Sequence, residues 1–167
     1  ATVVKRDLSD AALASDLRSS AYVGGLDFLH EFANRTWSLN GHFVGSRIAG
    51  DPEVMASAQE SSARYYQRPD ADYLGVDGTA SALRGYKASL ELQKVAGLHW
   101  QGGMELGMTS PGFEVNDLGY QRDADRRSAS ARLEYNENRP GTVLRRWSVN
   151  ASTDATWNFG NDRLGTG

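Results

Sequence analysis

Cysteine is absent from the 167 residues, which excludes disulfide-stapled scaffolds and thiolate chemistry. No apolar run approaches the roughly 20 residues of a membrane-spanning helix. The sequence is still compatible with membrane-spanning strands, because a barrel strand needs only roughly 9–11 residues, about half of them apolar. A basic excess is also missing. The formal net charge is −3, so the total charge favours neither nucleic acid nor an anionic membrane surface as a partner.

Proline is scarce, and all four prolines lie outside the alternating segments described next, as sheet pairing requires. Within 86–108, even-numbered positions are apolar or glycine and odd-numbered positions polar or glycine, except at a break over 95–97. Successive side chains of a strand point to opposite faces, so this pattern predicts a hairpin with one apolar and one polar face. The break suits a three-residue loop with Gly97 in the left-handed conformation. This loop places three pairs opposite each other: Leu92 and Trp100, Tyr86 and Leu106, and Lys87 and Glu105.

The same alternation predicts further strands over 21–32, 37–46, 127–136 and 147–159, with a partial strand in 1–8. Pairing about the Asn34–Arg35 bond would set Phe32 opposite Trp37 and Leu26 opposite Phe43. A weak helical turn or two is possible in 9–19, and a short helix in 56–66. The fold class predicted is therefore all-β, an antiparallel up-and-down meander of six to seven strands.

The connections and the two faces favour lipid over a protein core as the partner of the apolar face. Connections alternate between short (33–36, 95–97, 137–142) and long (50–81, 110–124), as in transmembrane β-barrels. Aromatic residues of the apolar face flank each short turn and are predicted to form a membrane girdle: Phe32, Trp37, Trp100, Tyr135 and Trp147. Charged or titratable side chains at mid-strand fall on the polar face and are predicted to line a lumen: Asp27, His42, Lys87, Glu91, Glu105, Arg132, Glu134 and Asp154. A soluble antiparallel sheet with one solvated face is the alternative.

Two strings in the long connections resemble a known family. They are RYYQRPDA over 64–71 and SPGFEVNDLGYQRDAD over 110–125, and they resemble the domain of unknown function 5916 group of bacterial outer-membrane proteins. The resemblance implies a large β-barrel that follows an N-terminal carbohydrate-binding domain of the family-9 type, a domain these residues do not include. Residues 1–167 would then be a single barrel segment, a fragment whose external loops lie near 50–81 and 110–124 and whose other strands lie elsewhere.

Motifs for catalysis or metal binding are missing. The three histidines (His30, His42, His99) lack metal-ligand spacing, and no nucleophile elbow or phosphate loop occurs, so no catalytic residue, metal or cofactor is expected. Carboxylates and aromatic–arginine groups in the long loops are the candidates for ligand binding: Arg64, Tyr65, Tyr66, Arg68, Asp70, Glu114, Asn116, Asp117 and Arg122.

The function expected is that of an outer-membrane barrel segment with a structural, transport or uptake role and no enzyme activity. The expected partners are outer-membrane lipid and the remaining barrel strands, with carbohydrate as a further candidate and no nucleic acid. The alternatives are a soluble β-sandwich that binds carbohydrate and a part of a carbohydrate-processing hydrolase.

Overall fold

The computed structural model describes residues 1–166, which form one antiparallel sheet in the order β1 to β8, with two short helices. The elements are β1 (Thr2–Lys5), α1 (Ala11–Asp16), β2 (Ser20–Phe32), β3 (Trp37–Ala49), α2 (Pro52–Glu60), β4 (Ala82–Lys94), β5 (Trp100–Thr109), β6 (Arg126–Glu137), β7 (Trp147–Trp157) and β8 (Arg163–Thr166). The predicted all-β meander is confirmed. The predicted count of six to seven strands is wrong, because β8 is too short to show an alternating pattern.

The sheet is open within the described residues, since strand order runs from β1 at one edge to β8 at the other. Among residues 1–166, no helix combines the length and apolarity needed to cross a membrane. Helix α2 begins at Pro52, a residue suited to a first helical turn, and ends at Glu60. The predicted helix at 56–66 was therefore placed too far along the chain; Tyr65, with φ of 51°, lies outside the helical region.

The first hairpin has the predicted register, with Phe32 opposite Trp37 and Leu26 opposite Phe43. Its tight turn depends on positive φ angles at both central residues, 54° at Asn34 and 60° at Arg35. Asparagine tolerates this conformation better than most residues, which is why the turn was visible in the sequence.

The central hairpin has a different register from the one predicted. Lys94 pairs with Gly102, so the loop runs over 95–99 and Leu92 faces Met104 instead of Trp100. Gly97 has a positive φ, 137°, as expected for the loop. The shift is an even number of residues, so every side chain keeps its predicted face. The longer loop lets the Lys94 ammonium donate to the Trp100 carbonyl at 2.6 Å.

The shift also removes two other predicted pairs. Tyr86 pairs with Gly45 of β3 and lies beyond the end of the β4–β5 ladder, where the Ser110 backbone N–H donates to its carbonyl at 2.9 Å. Lys87 faces Thr109, and Glu105 lies opposite Glu91 and Ser130. The predicted Lys87–Glu105 and Tyr86–Leu106 pairs are therefore wrong. The connection after β6 is also longer than predicted, at 138–146.

Strand register defines two faces of the sheet. The apolar face carries the side chains of Leu26, Phe28, Phe32, Trp37, Phe43, Leu90, Leu92, Trp100, Met104, Leu106, Met108, Leu133, Tyr135, Trp147 and Val149. The polar face carries the side chains of Asp27, His42, Lys87, Glu91, Glu105, Arg132, Glu134 and Asp154. The connections 33–36, 95–99 and 138–146 meet at one end of the sheet, the turn end, and 50–81 and 110–125 meet at the other, the loop end.

The small hydrophobic core lies on the polar face at the loop end. It joins Ala21 and Ile48 of the sheet to Val54, Met55 and Ala58 of α2. Ala21 and Ile48 point to the same side as the polar residues, because their parity along β2 and β3 matches that of Asp27 and His42. Helix α2 and the long loops therefore cover the loop end of the polar face, and within residues 1–166 no helix or long loop covers the middle of the apolar face.

Candidate functional site

The long connections form a cap on the polar face, which we call the loop cap: residues 50–81 and 110–125. The Glu114 backbone N–H donates to the Ser46 hydroxyl on this face at 2.9 Å. A Cβ at Gly85 would overlap the backbone of Gly112 and Phe113, and a Cβ at Gly112 would overlap the Arg84 carbonyl. The second loop thus lies directly on the backbone of β4, an approach that only glycine allows.

Gly85→Ala is expected to lift residues 110–125 off the sheet, because the added methyl has no space against rigid backbone. The cost should be about 1–3 kcal/mol of stability, as for other overpacked sites. Limited trypsin digestion, followed by mass spectrometry, should detect faster cleavage after Arg122. Gly45→Ala is the matched control, since its Cβ would meet its nearest neighbour at 3.9 Å; equal cleavage of both variants would contradict the close contact.

A buried ion pair between Arg64 and Glu114 joins the two loops of the cap. The Arg64 side chain is 0% exposed and the Glu114 side chain 1%, and their guanidinium and carboxylate are in direct contact. Arg64 also donates to the Phe113 carbonyl at 2.6 Å and to the Ala58 carbonyl at 3.1 Å. A buried charge is tolerated only when paired and hydrogen-bonded in this way.

The ion pair extends to the N-terminal segment through two more arginines. Arg18 contacts Glu114 at 3.2 Å and Asp117 at 2.6 Å, and Arg6 contacts the other Asp117 oxygen at 2.9 Å. Three arginines therefore hold two carboxylates of the second loop, and both carboxylates are satisfied within the protein. A free carboxylate for acid–base chemistry is not available at either residue.

A second buried carboxylate, Asp125, holds the other side of the cap. It accepts from Arg68 and from the Tyr73 hydroxyl, and it accepts from the Phe159 backbone N–H at 2.9 Å. Burial and the neighbouring Asp125 carboxylate raise the pKa of Tyr73 to about 12, so the phenol keeps its proton and acts as the donor. Asp125 is buried and immediately precedes β6, and its backbone has a φ of 55°. Its hydrogen bond with the Phe159 N–H therefore connects the start of β6 to the turn after β7.

The predicted ligand-binding residues divide between the inside and the outside of the loop cap. Arg64, Tyr66 and Glu114 are buried, while Arg68 and Asp117 are partly buried in the ion networks. The exposed ones are Tyr65, Asp70, Asn116 and Arg122. The sequence interpretation missed three members of the networks: Arg6, Arg18 and Tyr73. The carboxylate of Asp125 belongs to the acidic second loop, but its partners Arg68 and Tyr73 lie more than 50 residues away in the chain, and no local pattern indicates them.

The residues predicted to line a lumen lie together on the polar face, beyond the edge of the loop cap. Asp27 faces His42, and the His42 ring shares a hydrogen bond of 2.9 Å with Ser89. Strands β4 to β7 form a concavity of about 570 Å³ whose polar lining includes Glu91, Glu105, Arg132 and Asp154. Within residues 1–166, no group of three or more histidine or acidic side chains has the geometry of a metal site.

The five aromatic residues next to the short turns lie at the turn end of the apolar face. Ring centroids of Phe32 and Trp37 are 6.4 Å apart. Tyr135 lies 5.0 Å from Trp100 and 5.2 Å from Trp147, so a three-ring cluster spans β5, β6 and β7. Between the aromatic residues the face is open to solvent: Leu26 is 65% exposed, Met104 59%, Leu133 52% and Val149 60%.

These features define a class: an antiparallel meander with polar loops packed on its polar face and a continuous uncovered apolar face. Comparison with protein families matches residues 16–165 to the domain of unknown function DUF5916. The chain belongs to this family. Comparisons with curated proteins and with solved structures gave no match.

Proposed function

We propose that the chain is a section of a bacterial outer-membrane β-barrel, with lipid on its apolar face and a lumen on its polar face. The observation that carries the proposal is the uncovered apolar face. Helix α2 and the second long loop both pack on the polar side of the sheet, the side on which a soluble protein would need cover least. Apolar patches larger than a few hundred Å² are rare on soluble monomers and mark binding surfaces or membrane contacts.

Strand length and edge pairing agree with this proposal. Strands β2 to β4 each have 13 residues, enough to cross a bilayer at the usual tilt. The edges at β1 and β8 offer unpaired backbone groups, which the remaining strands of a full-length barrel would satisfy. The loop cap would close part of the outer mouth, and the proposed role is structural or in the transport or uptake of a solute.

A polar solute, carbohydrate among the possible classes, would first meet the exposed cap residues Tyr65, Asp70, Asn116 and Arg122. We assign no catalytic role to Glu114 or Asp117, because arginines already bind both carboxylates. Glu114→Gln and Asp117→Asn should leave any glycoside hydrolysis by the full-length protein unchanged beyond losses explained by unfolding. A large loss of hydrolysis in a folded variant would support the hydrolase alternative.

Flotation of the full-length protein tests the membrane assignment. Protein refolded from urea with phosphatidylcholine vesicles should rise with the vesicles in a density gradient and resist extraction by carbonate. Its circular dichroism should keep a strong sheet signal only when vesicles or detergent are present. A soluble monomer with an intact sheet signal in detergent-free buffer would overturn the proposal and favour the sugar-binding sandwich.

A further inference from the structure

We infer that the loop end of the apolar face binds the phosphate of anionic lipid head groups through the adjacent pair Arg47 and Arg84, with Arg127 as a separate cation further along the same rim. This inference rests on the proposed membrane function and assigns a ligand class to one rim of the sheet. The net charge of −3 conceals the cluster, because the acidic residues are concentrated on the polar face and in the loops.

The first observation is a like-charge pair. Arg47 and Arg84 lie directly opposite each other on β3 and β4. Cβ atoms of such a pair are about 4.5–5.5 Å apart, and like charges in this position destabilise a sheet. Within residues 1–166 neither guanidinium makes an ion pair or a side-chain hydrogen bond, in contrast to Arg6, Arg18, Arg64 and Arg68. An external anion between the two would turn the repulsion into attraction.

The second observation is a third arginine on the same face, two strands away from Arg84 and level with Ala88 of β4. Arg127 points to the apolar face from the second residue of β6, opposite Met108 and Trp157. Its guanidinium lies 5.4 Å from the centre of the Phe159 ring and donates to the Asn158 carbonyl at 2.7 Å. It is thus held in place by neutral groups alone and keeps its positive charge uncompensated.

The third observation is the position of the cluster. Arg47 is two residues from the end of β3 and Arg84 two residues from the start of β4, about 7 Å at the usual rise per residue. Each end of this rim also pairs an arginine with an aromatic residue, Arg47 with Tyr22 and Arg127 with Trp157. Aromatic rings and arginines at one level are the arrangement expected at the boundary between acyl chains and head groups.

The chemistry of the cluster selects phosphate. Arginine forms two parallel hydrogen bonds with a phosphate group, and adjacent arginines can share one phosphate between them. The side chains rise from an apolar surface, so the ligand needs both an anion and attached acyl chains. A phosphate-bearing lipid meets both requirements, whereas a soluble anion meets only the first.

Titration of the detergent-solubilised full-length protein with phosphatidylglycerol, followed by native mass spectrometry, tests the inference. Arg47→Gln and Arg84→Gln should each raise the dissociation constant of the first bound lipid about fivefold, with a larger effect in the double variant. A lysine pair at both positions should retain more affinity than the glutamine pair but less than the wild type, because lysine keeps the charge and loses the paired hydrogen bonds. Arg126→Gln is the matched control, because Arg126 starts β6 at the same rim on the polar face.

Equal affinity of the wild type and the glutamine double variant would overturn the inference. Displacement of the lipid by millimolar inorganic phosphate would assign the cluster to a soluble anion, and tighter binding of polyglutamate would assign it to an acidic polypeptide; either result also overturns it. Flotation with neutral vesicles keeps the two proposals separate. A protein that floats but shows no arginine-dependent selectivity refutes only the lipid site, while one that fails to float refutes the membrane function.

Discussion

If the apolar face meets lipid, as proposed, arginine in place of Ala131 is expected to destabilise the protein in a bilayer by about 2–4 kcal/mol, the cost of this charge on the lipid face of a barrel at mid-bilayer. Ala131 lies near the middle of β6 on the apolar face, between Met104 and Thr153. In water the same substitution would cost little, because arginine on an exposed strand keeps its hydration. The size of the loss therefore reports which solvent the apolar face meets.

Ser130→Arg is the matched control for this prediction. Ser130 is the preceding residue, at nearly the same depth, but on the polar face between Glu105 and Asp154. An arginine there would have two carboxylates as neighbours and should be neutral or slightly stabilising. Urea unfolding in vesicles, followed by tryptophan fluorescence, measures both variants. Similar losses at the two positions would contradict the assignment of the faces to lipid and lumen.

Arg64→Met is expected to cost about 3–5 kcal/mol, the usual penalty for removing one partner of a buried ion pair. The Glu114 carboxylate, 1% exposed, would keep only Arg18 as a cationic partner, and the Phe113 and Ala58 carbonyls would lose their donor. Both halves of the loop cap should loosen together, because Arg64 belongs to the first loop and Glu114 to the second.

Chemical denaturation and hydrogen exchange over residues 50–81 and 110–125 measure this effect. Arg122→Met, a change of the same charge at an exposed site of the cap, should alter stability by less than about 0.5 kcal/mol. The double variant Arg64→Met with Glu114→Leu should recover part of the loss, since it leaves no unpaired carboxylate behind. A single-variant loss as small as that of Arg122→Met would mean that the ion pair does not hold the cap.

Alternation along the chain was enough to predict the faces of the sheet and the pairing of the first hairpin. The turn at Asn34–Arg35 could be predicted because it depends on the conformational preferences of its own residues. The register of the central hairpin could not be predicted from the alternation. Loops over 95–97 and 95–99 leave every side chain on the same face and differ only in how Lys94 and Trp100 interact. Strand β8 was missed for a related reason: a short strand is defined by its neighbour β7 more than by its own sequence.

The candidate site was predictable only in part. Composition indicated that the long loops carry charged and aromatic residues, and Arg64, Glu114 and Asp117 were among those singled out. That Arg64 and Glu114 are buried partners, and that Arg18 joins them, depends on residues 50 to 96 positions apart in the chain. No local pattern encodes such contacts.

The sequence by itself determined the all-β class, the division into an apolar and a polar face, and the grouping of aromatic residues beside the short turns. These follow from the two-residue period of a strand, which is visible within each segment as an alternation of apolar and polar residues. Tertiary structure alone decided which face the loops cover and which face stays bare. It also decided that arginines pair with the Glu114, Asp117 and Asp125 carboxylates, while Arg47 and Arg84 face each other and no carboxylate of residues 1–166 pairs with either. These contacts join segments that are distant in the sequence, and the local alternation of residues along a strand does not predict them.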